Sequence, residues 1–403
     1  MERVHSADES TEFQRRHDAL VGSMRARDVE QLVLTSTESI FYLTGATAEP
    51  LERPFFLVVD AARNRRLLLV PLLEREHLRK GWGPGTQEVL SYAEFPAPAG
   101  QGWREVLGPL LRTGFAFEPG TPHDRASVLV GAGGRPLELL EAIRMVKSDF
   151  EVARIERAAR YAVWGVEQIL QSAYPGATVI EGYMTTTSLR RKIIQEEEHF
   201  DALATNVIAA PWPAPLSSEP HSVPGATMKL EAGPHVALVL TRVNGYAAEC
   251  ERTFFTTPPT AEQRRLFGVM LEARRVAFDL VRPGVMAADI DSAVTEFLTR
   301  EGFGDPNQRL HRTGHGFGLG NHEPPWVAVG SEHRLERNML ISIEPGIYVH
   351  GVGGYRHSDT VLVTTDGYRV LTPLPTDIGS LTFGKPSLKQ RVRASVIRRL
   401  AGV

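Results

Sequence analysis

The chain has 403 residues and a formal net charge of -3, with 42% hydrophobic and 23% charged residues. This composition is close to that of an average globular protein and excludes disordered and collagen-like classes. Charges of both signs are interspersed, so the chain lacks the basic footprint of a nucleic-acid binder. The chain is longer than a domain with a single hydrophobic core usually is, which predicts two domains. Small-molecule or peptide substrates are therefore the default expectation, and no nucleic-acid partner is expected.

The most apolar stretch, at 67–73, is too short to span a bilayer and is predicted to be a buried strand. No membrane partner is expected on this ground. The first residues are rich in charge and lack the apolar core of a secretory signal. Cys250 is the only cysteine, which rules out an intrachain disulfide and is typical of the reducing cytoplasm. The expected location is cytoplasmic.

Four apolar runs in the first part of the chain alternate with polar segments that suit helices, which predicts an α/β domain. A loop-rich stretch at 119–134 precedes a connecting helix predicted over 137–145. We place the domain boundary near Lys147, giving domains of 1–146 and 147–403. The four runs, each predicted to be strand-like, lie at 31–35, 39–43, 54–59 and 66–70.

A long amphipathic helix is predicted after the boundary, because apolar residues recur there at steps of three and four from Val152 to Ile169. Ser148 and Glu151 have the spacing of a capping box. Beyond Ala202 short strands and tight turns dominate, with further helices predicted over 262–281 and 288–300. An antiparallel sheet backed by helices is the expected architecture, so the fold class is mixed α/β (α+β). The apolar helix positions are Val152, Ile155, Ala159, Ala162, Val163, Val166 and Ile169.

The segment at 313–325 reads Thr-Gly-His-Gly-Phe-Gly-Leu-Gly-Asn-His-Glu-Pro-Pro and places two histidines seven residues apart. So many glycines indicate close backbone approach. Taken alone, the segment would also suit a glycine-rich turn with incidental histidines. Three further segments accompany it: Asn-Gly-Tyr-Ala-Ala-Glu-Cys-Glu-Arg-Thr-Phe-Phe at 244–255, Ser-Ile-Glu-Pro-Gly-Ile-Tyr at 342–348 and Gly-Gly-Tyr-Arg-His-Ser-Asp-Thr-Val-Leu-Val-Thr at 353–364.

In this order, the four segments resemble the pita-bread family of methionine and Xaa-Pro aminopeptidases, prolidase, creatinase and ectoine hydrolase. The resemblance spans roughly 147–372. Arg-Met-Val-Lys-Ser at 144–148 resembles that family's entry into the catalytic domain, and Ser-Ile-Phe-Tyr-Leu-Thr-Gly at 39–45 resembles the amino-terminal domain of its creatinase and prolidase branch. The resemblance implies a creatinase-like amino-terminal domain, a carboxy-terminal pita-bread domain and a homodimer.

In the metal-dependent members, five side chains hold two divalent ions. Transferred by position, the resemblance gives three of them: Glu249 in place of an aspartate, His315 and Glu344. The other two positions fall on Leu238 and Ser358, so we do not expect a two-metal site. Glu249, His315 and Glu344 could still hold one divalent ion such as Mn, Fe, Co or Zn.

The metal-free branch offers a competing interpretation. Glu251-Arg252-Thr253 reproduces a Glu-Arg-Thr sequence of creatinase, in which glutamates hold a cationic guanidinium instead of an ion, as charge-assisted hydrogen bonds allow. We therefore favour a site without a metal cofactor. The alternative for Glu249 and Glu251 is a polar, solvent-exposed strand face, because the alternation of side chains along a strand places both on the same side.

Further residues take their expected roles mainly from the resemblance. His221 corresponds to a loop histidine that acts as a base in creatinase, which its ordinary pKa allows. Arg356 precedes the final acid, Asp359, and its rigid fork suits a substrate carboxylate. His311 and His333 lack motif support and are predicted to be solvated. Trp212 and Trp326 lie beside prolines and would either line a pocket or cover the core.

The function favoured by the sequence is hydrolysis of a C–N bond in a small, polar, charged substrate. In this hypothesis His221 is the base, the glutamates orient a cationic group, and two histidines polarise the scissile bond. The alternatives are a mononuclear Xaa-Pro dipeptidase, an inactive binding protein of the same fold, and a lyase or cyclase. The expected catalytic residues are His221, His315, His322 and Glu344, and the expected substrate-binding residues are Glu249, Glu251, Arg356 and Asp359.

Overall fold

A computed structural model describes residues 7–81 and 87–402. The chain divides into two compact units, one ending at Arg144 and the other beginning at Met145. The exact predicted boundary, which divides the chain into 1–146 and 147–403, stays a prediction. Among the described helices, none combines the length and the apolar character needed to cross a membrane.

The first unit contains a mixed sheet whose described strands lie in the order β4-β3-β2-β1-β5-β6. The central strands β1, β2 and β3 are antiparallel, whereas the outer pairs β3/β4, β1/β5 and β5/β6 are parallel. Its strands are β1 (Gln31–Leu34), β2 (Phe56–Asp60), β3 (Arg65–Pro71), β4 (Gln87–Tyr92), β5 (Ala116–Phe117) and β6 (Arg135–Pro136). The helices of this part of the chain are α1 (Ala7–Ala26), α2 (Thr37–Thr44), α3 (Arg75–Gly81), α4 (Trp103–Leu107), α5 (His123–Gly131) and α6 (Glu141–Met145).

The strand predicted at 39–43 is wrong, because this run belongs to helix α2. Ser36 caps the helix by accepting a hydrogen bond from the backbone of Ser39. Gly45 ends it in the left-handed region at φ 69°, and its N–H bonds to the carbonyl of Phe41. The capping interactions at the two ends favour a helix, whereas the apolar run between them has no periodicity that would favour a strand.

The second unit is built on an antiparallel sheet whose described strands follow the order β13-β12-β14-β17-β11-β10-β8, with β18 paired to β17. The pairs β15/β16 and β7/β9 form separate ribbons. The strands are β7 (Ala177–Thr178), β8 (Asn206–Trp212), β9 (Lys229–Leu230), β10 (His235–Val243), β11 (Tyr246–Phe254), β12 (Gly314–Gly316), β13 (Glu323–Val327), β14 (Leu340–Ile343), β15 (Gly346–Val349), β16 (Gly353–Arg356), β17 (Ser358–Val363) and β18 (Tyr368–Val370).

Helices cover one face of this sheet, and the predicted antiparallel sheet backed by helices is confirmed. Ser148 and Glu151 form the predicted capping box at the start of the long helix. The predicted helices at 262–281 and 288–300 are present with slightly different ends. The helices are α7 (Asp149–Gln171), α8 (Val179–Glu196), α9 (Ala261–Phe278), α10 (Ala287–Arg300) and α11 (Leu388–Ala401).

Strand register decides which side chains face away from α7. Gly165 of α7 packs so closely on Val239 that a Cβ at Gly165 would lie 3.0 Å from a Val239 methyl carbon. Since side chains alternate along a strand, Leu238 and Leu240 face the opposite side. The register pairs Leu238 with Glu251 and Leu240 with Glu249, so all four side chains project from the sheet on the side away from α7.

Candidate active site

A cavity of about 610 Å³ opens on that side of the sheet in the second unit. With the exception of Asp359, every residue predicted to bind substrate or act in catalysis lines it. The structure thus brings together residues that are more than a hundred positions apart in the chain. These residues are His221, Glu249, Glu251, His315, His322, Glu344 and Arg356.

Neighbouring strands hold the central imidazole and carboxylates. The backbone N–H of His315 on β12 donates to Ser342 Oγ on β14 at 2.9 Å, and the N–H of Glu344 donates to the carbonyl of Thr313 at 2.8 Å. These bonds place His315 Nε2 3.1 Å from Glu344 Oε1 and 3.8 Å from Glu249 Oε1. One imidazole nitrogen therefore faces two carboxylate groups in a buried place.

Electrostatics in this group favours a positive charge at His315. Burial by itself would lower the pKa of His315, but the charges of Glu249 and Glu344 raise it to about 9. Burial, reinforced by the charge of Glu344, raises the pKa of Glu249 to about 8. The pKa of Glu344 is lowered despite its burial, because its carboxylate faces His315. The two carboxylates compete for one cation, as closely spaced acids do.

The residues present fit one divalent ion. Single donor atoms of Glu249, His315 and His322 all lie within 4.8 Å of one another. His315 Nε2 is buried and makes no hydrogen bond of acceptable geometry in the described structure, although it faces the oxygens of Glu249 and Glu344. An unsatisfied imidazole nitrogen among carboxylates is the donor set that Zn and related cations prefer.

A second ion would have too few ligands. Leu238 presents only hydrocarbon to the cavity, and the Ser358 hydroxyl donates to Glu249 Oε1 at 2.6 Å. The predicted loss of the two-metal site stays a prediction, and the preference for no ion at all gains no support from this geometry.

Glu251 and Arg356 form a buried two-point ion pair. Arg356 Nε bonds to Glu251 Oε2, and Arg356 Nη2 donates to Glu251 Oε1 at 2.9 Å. The remaining nitrogen, Nη1, donates to the Tyr348 hydroxyl at 3.1 Å. Burial raises the pKa of Glu251 to about 6, against the opposing charge of Arg356. The two charges thus neutralise each other in this structure, and the expected substrate-binding roles of Glu251 and Arg356 stay predictions.

Asp359, which was predicted to bind substrate, lies on the other face of the sheet and outside the cavity lining. The preceding residue, Ser358, points to the same side as Glu249 and donates a hydrogen bond to it, so alternation along β17 turns Asp359 to the opposite side. Arg252 Nη2 donates to Asp359 Oδ1 at 2.8 Å, and Arg274 Nη2 donates to Oδ2 at 2.5 Å. Thr372 Oγ1 also donates to Oδ1, at 2.7 Å. Asp359 therefore neutralises two buried arginines.

His311 is a cavity residue that the sequence analysis missed. It was predicted to be solvated, but it lines the cavity, and its Nε2 lies 2.5 Å from the Tyr348 hydroxyl. Burial lowers its pKa to about 4. Its position four residues before His315 was the available signal. Trp212 lines the cavity as well, whereas Cys250 is fully buried and lies outside the lining.

The glycine-rich segment follows its neighbours at backbone contact distance, as predicted. A Cβ at Gly314 would lie 2.0 Å from the carbonyl oxygen of Ser342, and one at Gly316 would lie 2.4 Å from that of Pro324. Real Cβ atoms do not approach so closely, and the surrounding atoms are backbone that cannot give way. The glycines therefore allow β12 to bring His315 against β14.

A buried ion pair fixes the far end of the same segment. Lys147 Nζ lies 3.1 Å from Glu323 Oε1, and both side chains are almost fully buried. Glu323 Oε2 accepts from the backbone N–H of Gly320 at 3.2 Å. The pair thus connects the start of the second unit to the residues flanking His322.

We expect Lys147→Ala to lower the free energy of unfolding by about 3–5 kcal/mol, because it leaves the Glu323 carboxylate buried without its cation. Urea unfolding monitored by tryptophan fluorescence measures the change. Lys192→Ala is the matched control: its partner, Glu196, is on the surface of α8, and we expect less than about 1 kcal/mol there. Equal losses for the two variants would contradict the structural role of Lys147.

Two family patterns match the chain. Residues 142–365 match the pattern described as metallopeptidase family M24, which covers more than half of the chain. The chain belongs to metallopeptidase family M24. Residues 16–146 match the creatinase/prolidase amino-terminal domain. This M24 protein is therefore a hydrolase of the peptidase type, with the predicted creatinase-like amino-terminal domain and pita-bread domain.

Individual relatives agree with the M24 assignment. YkvY of Bacillus subtilis, whose name proposes a dipeptidase, is 30% identical over 85% of this chain and 93% of its own. Dipeptidase PepE from Mycobacterium ulcerans has a TM-score of 0.78 at 26% identity, covering 93% of this chain and 99% of its own. The Xaa-Pro dipeptidase from Bacillus anthracis has a TM-score of 0.76 at 22% identity, over 92% and 100% of the two chains, which shows a shared fold.

Proposed function

We propose that this M24 protein hydrolyses a peptide-type C–N bond of a small substrate with the help of one divalent ion. Glu249, His315 and Glu344 would hold the ion, with His322 beside them. The observation that carries the proposal is the cluster itself: donor atoms of Glu249, His315 and His322 lie within 4.8 Å of one another, and the buried His315 Nε2 atom faces two carboxylates. Mn, Fe, Co and Zn are the candidate ions for such donors.

A bound ion of this kind polarises a carbonyl group and makes a water molecule more acidic. The protein's own groups account for the proton transfers. The ring of His322 lies 3.8 Å from that of His315, centroid to centroid, and its imidazole would accept a proton there. His221 lies on an exposed loop at the cavity and can return a proton to the departing nitrogen. The Arg356–Glu251 pair and Tyr348 keep this side of the cavity in place.

The creatinase-like mechanism without metal is the second candidate. Its supporting observation is that Ser358 and His315 already contact the carboxylates of Glu249 and Glu344, so these groups have partners when no ion is bound. Against it, Glu251 is bound to Arg356, and this glutamate carries the sequence similarity to creatinase. The hydrolase assignment leaves no role for the inactive binding protein.

Metal removal separates the two candidates. We expect dialysis against a chelator to abolish hydrolysis of an Xaa-Pro dipeptide or an N-acyl amino acid, because the ion supplies electrophilic assistance that no side chain replaces. Activity should return as Mn, Fe, Co or Zn is added and should reach a plateau at one equivalent. A mock-dialysed sample controls for loss of protein. Full activity in protein stripped of metal would refute the first candidate and support the second.

A further inference from the structure

One wall of the cavity is apolar, and it includes Leu238, the position at which the resemblance to metal-dependent members implied an aspartate. We call Ile208, Ala210, Leu238 and Leu240 the apolar wall. Strand register pairs Leu238 with Ala210 and Leu240 with Ile208 across β10 and β8. The same two leucines pair with the glutamates of β11 on their other side. The wall therefore begins directly beside Glu249 and Glu251.

Ile208 of this wall and Tyr183 at its rim are exposed, whereas Leu238 and Ala210 are mostly buried behind them. Ile208 is 42% exposed and Tyr183 of α8 is 48% exposed, and both line the cavity together with Trp212 and Val223. A contiguous apolar surface beside buried polar groups is typical of a site that accepts a hydrocarbon part of a substrate.

Each carboxylate of the cavity already contacts a cationic group or would hold the proposed ion. Among the described lining residues, the acids are Glu249, Glu251 and Glu344. Glu251 is bound by Arg356, and the other two contact His315 or would hold an ion. A free amino group close to the apolar wall would therefore be desolvated without a partner, which is costly for a charge.

Arg312 provides an available positive charge in the cavity lining. Its guanidinium lies 4.3 Å over the ring of Trp326 and lines the cavity. In residues 7–81 and 87–402 it has no hydrogen-bond or ion-pair partner of its own side chain. Stacking on an aromatic ring orients the guanidinium while leaving its edge free to donate two parallel hydrogen bonds to a carboxylate.

We propose that the substrate is an N-acyl amino acid: an apolar, uncharged acyl group on the apolar wall, joined to an amino acid whose carboxylate is bound by Arg312. The inference rests on the proposed C–N hydrolysis and specifies its substrate class. Water supplies a hydroxyl group to the acyl carbon and a proton to the nitrogen, the C–N bond breaks, and the products are a carboxylic acid and a free amino acid.

Three compounds test the acyl end and the carboxylate end of the substrate separately. They are N-hexanoyl-alanine, the same compound with its carboxylate replaced by a carboxamide, and leucyl-alanine. Wild-type protein should turn over N-hexanoyl-alanine with a kcat/KM at least about 10-fold above that of leucyl-alanine, because only the latter buries an ammonium group. Arg312→Gln should lower kcat/KM for N-hexanoyl-alanine about 10- to 100-fold and leave the carboxamide unchanged. Leu238→Asp should shift the preference toward leucyl-alanine. A preference of the wild type for leucyl-alanine, or equal effects of Arg312→Gln on acid and carboxamide, would overturn the inference.

Binding measurements test the proposed substrate class independently of catalytic turnover. Analogues of N-hexanoyl-alanine and leucyl-alanine with a methylene group in place of the scissile nitrogen cannot be hydrolysed. Calorimetry on wild type and Arg312→Gln should show tighter binding of the hexanoyl analogue and its loss in the variant. If neither substrate is hydrolysed but this binding pattern holds, the proposed function fails and the ligand class stands. If the leucyl analogue binds more tightly, the ligand class fails, whatever the activity.

Discussion

His315→Ala should lower kcat/KM by about a thousandfold or more, the scale seen when a buried electrostatic contributor to the transition state is removed. His315 faces Glu249 and Glu344 and adjoins His322, at a ring-centroid distance of 3.8 Å, so its loss removes the centre of the donor set. The variant should also bind less metal. Steady-state kinetics and metal analysis of the purified protein measure the two effects.

His350→Ala is the control for this variant, because His350 is an exposed turn residue outside the cavity lining. It should keep wild-type kinetics and metal content. A His315→Ala protein that folds normally and retains both activity and ion would show that His315 has no part in the site.

Asp359→Ala should be the most destabilising substitution in the second unit that we consider. It leaves two fully buried guanidinium groups, Arg252 and Arg274, without their carboxylate, and breaking a buried ion pair costs about 3–5 kcal/mol. We expect insoluble protein or a melting temperature far below that of the wild type. Asp366→Ala, at an exposed turn, is the control and should melt normally.

Asp359→Asn distinguishes this structural role from the substrate-binding role first inferred from the sequence. The amide keeps the shape but removes the charge, so we expect a clear loss of stability in urea unfolding. A variant with wild-type stability and a raised KM would instead place Asp359 at the substrate.

Local sequence signals predicted much of this fold. Ser148 and Glu151 are close enough in the chain for their capping box to be read directly, and Gly314 needs no tertiary information to indicate close packing. The run at 39–43 was misassigned because its four consecutive apolar residues, 40–43, suit a strand or a short helix equally. The deciding contacts, at Ser36 and Gly45, lie outside the run.

The sequence predicted most of the residues that form the site, but not which of them contact one another. Motif similarity identified Glu251 and Arg356, yet their mutual ion pair depends on how β11 approaches β17 and β16. His311 became a site residue only through Tyr348 on β15. By contrast, alternation along β17 could have placed Asp359 opposite Ser358. The homodimer and the cytoplasmic location stay predictions.

The number and position of ions test the central claim most directly. A crystal of the protein, grown with the metal that restores activity, should be measured on both sides of that metal's absorption edge. We predict one anomalous peak per chain, within bonding distance of Glu249, His315 and Glu344, and none beside Leu238. Two peaks, or a fully active protein whose crystal shows no peak at this site, would contradict the account.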